Sequence, residues 1–369
     1  MGSTTLGSTL RSRAADAPRT ARRTMSTAST DPVPIRLNRT GPRTWRAAGL
    51  LLAAVVSGCV SAETPADTSP VPPEPEVFAP GVISDDREQY RIAFTPSGDT
   101  AYFGAADGFF PQTRDATIYR SIRIGGQWQS PEVAAFSGRN ADIDPFITPD
   151  GRHLYFSSIR PAEDAGEDAP EGGAGDADGP DGPARVADLW RVSREEGGWG
   201  SPERLAISTL GDDLYPSLDA DGNLYFANAV PRGEGPDHWR IVVARAAPDG
   251  WTDPEPVPGG VNSEDAWAFN PAVSPDGRQM VFTRLNPLEA RATGFGELYR
   301  SRLDDTGAWT DAVNLGSPVN TGMDEYHPSL SPDGSTLYFV RRDPFSENAS
   351  GSLYRVDARV LERAASGGG

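Results

Sequence analysis

The chain has 369 residues, with 52 acidic and 34 basic side chains, a formal charge of −18 and one cysteine. Every basic residue is an arginine. These counts exclude a disulfide framework and a cysteine-rich zinc site, a phosphate-cradling loop built on lysine, and nucleic acid as the partner of so acidic a protein.

The first 58 residues differ from the rest. They hold nine Arg against two Asp, which is +7 and leaves −25 for the remainder. Arg36, Arg39, Arg43 and Arg46 precede an apolar run over 47–56, and Ser57-Gly58-Cys59 follows. Basic residues, a short apolar run and small residues before a cut site predict an export signal over 1–58. The run is too short to span a bilayer, which takes about 20 residues. Met25 is a second candidate start, because the basic region is long. Val56-Ser57-Gly58-Cys59 resembles a bacterial lipobox. The resemblance implies that Cys59 carries lipid and becomes the mature N-terminus, anchoring the protein. The alternatives are a buried structural cysteine or an ordinary signal peptide cut nearby. Val60 gives no acidic retention signal, so the expected address in a two-membrane cell is the outer membrane, facing the periplasm. Residues 59–76 are rich in Pro and Thr and read as a flexible tether.

One phrase then recurs five times. Phe94-Thr95-Pro96-Ser97-Gly98 leads to Ala101-Tyr102-Phe103, and Ile147-Thr148-Pro149-Asp150-Gly151 leads to Leu154-Tyr155-Phe156. Leu218-Asp219-Ala220-Asp221-Gly222 leads to Leu224-Tyr225-Phe226. Val273-Ser274-Pro275-Asp276-Gly277 leads to Met280-Val281-Phe282, and Leu330-Ser331-Pro332-Asp333-Gly334 leads to Leu337-Tyr338-Phe339. Proline at the turn entrance, glycine at its end and β-prone flanks predict a hairpin at each copy. An aromatic-Arg pair follows each hairpin: Tyr119-Arg120, Trp190-Arg191, Trp239-Arg240, Tyr299-Arg300 and Tyr354-Arg355. Four units add a tryptophan after a glycine-bearing turn, at Trp128, Trp199, Trp251 and Trp309. Four antiparallel strands per unit cannot bury both faces alone, so the units stack as propeller blades. The fifth unit lacks its outer strand, and the segment from Val77 has no unit of its own. The expectation is an all-β, five-bladed propeller over 77–360, its last blade completed by an N-terminal strand, with a disordered tail over 361–369.

These phrases resemble the WD-repeat-like propeller repeat of TolB-type proteins, across residues 77 to 357. The resemblance implies the fold and an envelope setting. It does not carry TolB's own role, because this chain shows no extra N-terminal domain and has a lipobox.

Aligning the copies on Pro145, Pro216, Pro271 and Pro328, with Ile92 in the first, sets acids before each inner strand. They are Glu88, Asp142, Asp212, Asp213, Asp324 and Glu325; the fourth copy offers Glu264, Asp265 and Trp267, and Asp144, Asn270 and His327 stand directly before their prolines. The binding expectation is an acidic channel rim that attracts cations or basic peptide ends, or that holds Ca²⁺ through several oxygens. The alternative is that each acid ties down its own turn, and repetition in every blade favours it. The four repeated tryptophans read as packing between blades. The insert over 161–184 carries eight acids and no base and reads as a disordered, solvated loop. No nucleophile elbow appears, and no cofactor is expected beyond the possible Ca²⁺. The sequence therefore points to a lipid-anchored, monomeric envelope propeller that binds an envelope protein or a cell-wall glycan, with no nucleic acid. The rival is a carbohydrate-active hydrolase or lyase working with carboxylates at the channel mouth.

Overall fold

The computed structural model describes residues 73–108, 115–161, 186–209, 211–230, 238–286, 296–346 and 350–363. The expected export signal, Cys59, the tether up to residue 72 and the acidic insert from 162 lie outside them.

The described residues form five antiparallel blades around a central channel. The innermost strands are Glu88–Phe94, Asp142–Ile147, Asp213–Leu218, Trp267–Val273 and Asp324–Leu330. Each pairs with the strand after its hairpin, and that strand pairs with a third. The hairpins close as their residue types dictate. Gly98, Gly151, Gly222, Gly277 and Gly334 take φ of 67° to 80°, which a side chain would oppose. The hydroxyls of Thr95, Thr148, Ser274 and Ser331 accept the amides of Thr100, His153, Gln279 and Thr336 at 3.0–3.2 Å. In the third blade, where no hydroxyl is present, the Asp219 carboxylate accepts the Asn223 amide at 2.9 Å.

The outer edge is broken. Gln127–Trp128 and Glu132–Val133 both pair with Thr117–Ile124, and the second blade repeats this with Gly198–Trp199 and Glu203–Arg204. Pro131 and Pro202 interrupt the edge, because proline has no amide for the ladder. In the fifth blade Glu76–Val77 takes the outer place, with Glu76 opposite Arg355 and Val77 opposite Tyr354. This strand starts one residue before the point expected from the sequence. Each exposed edge is thereby shortened or paired.

Blades are joined by aromatic contacts. Trp199 donates from Nε1 to the Tyr102 hydroxyl at 2.8 Å. Trp251 stands edge-on to Tyr155, Trp309 to Tyr225, and Trp128 to Phe78. The fifth blade has no tryptophan to set against the fourth. There the tyrosine position is the smaller Val281, and the helix Val360–Arg363 fills the gap with Val360 and Leu361. The tail expected from 361 thus begins inside this helix, with Leu361 buried.

One local expectation is corrected. Pro145, Pro216, Pro271 and Pro328 do not open the inner strands; each lies within one. The register of all five inner strands shifts at the equivalent place, between Gln89 and Ile92, Ile143 and Phe146, Leu214 and Ser217, Phe269 and Ala272, and Tyr326 and Ser329. A bulge leaves an unpaired position in the ladder, and proline is accommodated there.

Candidate functional site

The five bulges build the centre of the ring. The residue before the aligned proline is Asp144, Tyr215, Asn270 or His327, with left-handed φ of 59°, 65°, 53° and 51°. Arg91 holds the same place in the first blade. Left-handed backbone costs a non-glycine residue on the order of 1 kcal/mol. Glycine would avoid that cost, so the side chains themselves are what the position retains.

These side chains meet from all five blades. Arg91 donates from Nη1 to the Pro216 carbonyl at 2.8 Å and from Nη2 to the Pro271 carbonyl at 2.9 Å. Burial lowers its guanidinium to about 10, with Asp144 opposing the shift. His327 Nδ1 lies 3.1 Å from Asp144 Oδ1 and 3.1 Å from Asn270 Nδ2. Asn270 Oδ1 accepts the Thr283 hydroxyl at 2.9 Å and the His327 amide at 3.3 Å. The rings of Tyr90, Tyr215 and Tyr326 stand 5.3, 5.4 and 4.9 Å from the imidazole. Arg91, Asp144, Asn270 and His327 are at most 4% exposed, while Tyr215 and Phe269 are half-buried with rings 6.2 Å apart.

Asp144 is the anomaly. It is fully buried, yet neither of its oxygens accepts a hydrogen bond from the described residues. A carboxylate held away from water without donors is costly.

The acids read as a rim are placed differently. Asp142 accepts the Ser137 hydroxyl at 2.8 Å and Arg160 at 2.6 Å. Asp213 accepts the Thr209 hydroxyl at 3.1 Å and Asn228 at 2.9 Å; burial pushes its carboxyl up to about 6. Glu325 accepts the Thr321 hydroxyl at 2.6 Å and Arg341 at 2.9 Å. Each of these buried acids is held by the loop before it and by its own blade. A second set staples neighbouring blades. Asp212 accepts the Ala187 amide at 2.6 Å, Asp324 the Gly296 amide at 2.8 Å, and Glu88 the Gly351 amide at 2.8 Å together with the Tyr326 hydroxyl. Asp265 is exposed and Trp267 half-buried. Of the sequence candidates, the structure sets Asp144 against His327 in the channel, and brings Glu88 and Glu325 near enough to Asp324 to act on its charge. The described residues contain no group of three or more His, Cys, Asp or Glu that could hold a metal ion.

At the hairpin end the channel opens into a shallow apolar well of about 70 Å³, ringed by Pro96, Pro149, Pro275 and Pro332, with Arg91 and Phe146 in its lining.

Sequence reasoning missed Arg91 and Tyr215. A signal was present: the residues around the aligned proline are similar from copy to copy, while the residue before it differs in every copy.

No protein-family profile and no curated protein matches the chain. Among solved structures it is similar to a TolB candidate from Agrobacterium tumefaciens, at 16% identity over 71% of this chain and 72% of that one, with a TM-score of 0.44. It is also similar to a thermostable family-43 glycoside hydrolase, at 14% identity over 76% and 91%, with a TM-score of 0.48. A native arabinanase of Bacillus subtilis gives 14% identity over 76% and 96%, with a TM-score of 0.45. At these values no residue role transfers to this chain.

Proposed function

We propose that the chain is a lipid-anchored envelope propeller that binds a partner, protein or glycan, and acts as a recruiting module. One observation supports a binder over a hydrolase most directly. Asp142, Asp213 and Glu325 spend their oxygens on their own blades. Hydrolysis of a glycosidic bond needs an acid and a second carboxylate flanking one bond. Among the described residues, Asp144 is a buried channel carboxylate whose oxygens accept no hydrogen bond, and such a group suits recognition. Cys59 supplies the anchor in this reading, with an outer-membrane, periplasm-facing address.

The test is capture. The detergent-extracted full chain is immobilised and exposed to envelope extract of the source cell, and retained protein and carbohydrate are measured separately. Stoichiometric retention of one partner that comes through unshortened is the expected result. A retained glycan that is progressively shortened would replace this reading with the carbohydrate-active enzyme. In parallel, Cys59→Ala is expected to move the protein from the membrane to the soluble fraction; unchanged membrane retention would remove the anchor.

A further inference from the structure

We propose that the ring of bulge side chains is a binding site for the ammonium group of a ligand, with Asp144 as its counter-ion. This rests on the binding-module reading and names the chemistry of its site.

Three observations carry it. The first is the pattern across blades. The bulge recurs in all five inner strands, but the side chain at it is Arg91, Asp144, Tyr215, Asn270 or His327. A residue that only builds a blade recurs with the blade. The second is the cost. Four of these five residues hold left-handed backbone that glycine would relax. The third is the unmet carboxylate, since both oxygens of fully buried Asp144 lack a donor among the described residues.

The hydrogen bonds explain why Asp144 stays unmet. The His327 backbone amide can only donate, so the Asn270 atom it reaches is the carbonyl oxygen. Asn270 Nδ2 therefore faces His327 Nδ1 as a donor, and neutral His327 presents a bare Nδ1 to accept it. That same bare nitrogen lies 3.1 Å from Asp144 Oδ1, lone pair against lone pair. Nδ1 can accept from Asn270 or donate to Asp144, and not both. A ligand ammonium brings three donors and a positive charge, and so satisfies Asp144 without disturbing the Asn270 contact. The half-buried ring of Tyr215, 5.4 Å from the imidazole, adds an aromatic neighbour that favours a cation there.

The test is calorimetric titration of the detergent-extracted full chain with butylammonium chloride, with sodium chloride and sodium butyrate as controls. The expected result is saturable one-to-one binding at about pH 8. Asp144→Asn, which keeps the shape, is expected to lose roughly tenfold or more. Glu255→Gln, on an exposed outer strand, is expected to bind as the parent does. Absence of saturable binding, equal affinity in Asp144→Asn, or the same saturation with sodium chloride would each overturn the proposal. If Asp144→Asn does not fold, the His327 imidazole resonance of the parent decides. It must shift on adding butylammonium, and an unmoved resonance rejects the site. Partner capture without butylammonium binding removes this inference alone; loss of both removes the binding reading as well.

Discussion

Arg91 of the first blade reaches across the channel to the carbonyl of Pro271 in the fourth, at 2.9 Å. Its other terminal nitrogen holds Pro216 of the third blade at 2.8 Å. One guanidinium thus ties three blades that are far apart in sequence, and it stands against Asp144 of the second. Arginine suits this place because its planar fork presents two donors in fixed directions.

Replacing that fork should loosen the ring. Arg91→Met leaves two buried carbonyls without donors. The expected loss is about 3 kcal/mol, from chemical denaturation followed by tryptophan fluorescence. Arg91→Lys should recover only part of it, because one ammonium cannot serve both carbonyls in the fork geometry. Full recovery by lysine would show that charge alone matters.

The blades were legible because their signals are local. A turn phrase such as Ser331-Pro332-Asp333-Gly334 fixes a hairpin by backbone chemistry within a few residues. The fifth blade's outer strand was legible by subtraction, and a direct signal was also there. Pro75-Glu76 matches Pro131-Glu132 and Pro202-Glu203, and Glu76, Glu132 and Glu203 all pair with the arginine of an aromatic-Arg pair. The site was half legible. Asp144 and His327 stood out by chemistry, but their meeting depends on bulges that pattern reading takes for strand starts. Arg91 was hidden because its copy has Ile92 in place of proline. The rim acids were visible, yet their burial was not, since it follows from strands that begin three or four residues earlier than the prolines suggest.

Asp324 gives the pH dependence. Burial, with Glu88 and Glu325 adding to it, pushes its carboxyl up to about 7, while the Gly296 amide and Arg342 pull the other way. The unfolded carboxyl titrates near about 3.9. Between these values the folded state binds the proton more tightly, so stability falls as pH rises from about 4 to about 7. Buried Asp213, raised to about 6, acts in the same direction. Asp324→Asn keeps an oxygen for Gly296 and removes the charge. It should stabilise the protein by on the order of 1 kcal/mol at about pH 8 and leave it unchanged at about pH 4. Thermal melts at the two pH values check this; an equal shift at both would mean that the charge is not the cause.

Gly259 and Gly98 separate two reasons for glycine. Both have positive φ, 99° and 67°. A Cβ on Gly98 meets nothing within 4 Å, whereas one on Gly259 would lie 1.8 Å from the Trp309 carbonyl oxygen. That contact belongs to a strap in which Trp309 donates to Pro258 and receives Gly260. Gly98→Ala should cost about 1 kcal/mol, from backbone strain alone. Gly259→Ala should cost about 3 kcal/mol or more, because the strap must leave Trp309. Denaturation midpoints order the two, and similar costs would place the burden on φ rather than on the close approach.

Ring closure should depend on apolar packing more than on the ion pair that marks it. Glu76 meets Arg355 at 2.7 Å, but its side chain is half exposed, and such pairs contribute about 0–1 kcal/mol. Phe78 is buried among Phe94, Trp128 and Tyr338, at ring distances of 6.0, 5.8 and 5.1 Å. These rings come from the first and fifth blades, so Phe78 seals the seam where the chain closes on itself. Phe78→Ala should therefore cost about 3–5 kcal/mol, and Glu76→Gln less than about 1. At the other face of the fifth blade, Leu361→Ala should cost about 2–3 kcal/mol, since it empties the place that a tryptophan would otherwise take. Limited proteolysis adds a readout of position. Phe78→Ala should open the first blade's flank to cleavage before the second or third, because seam failure exposes the strands it covered. Cleavage beginning in the second or third blade would mean that the ring holds without its seal.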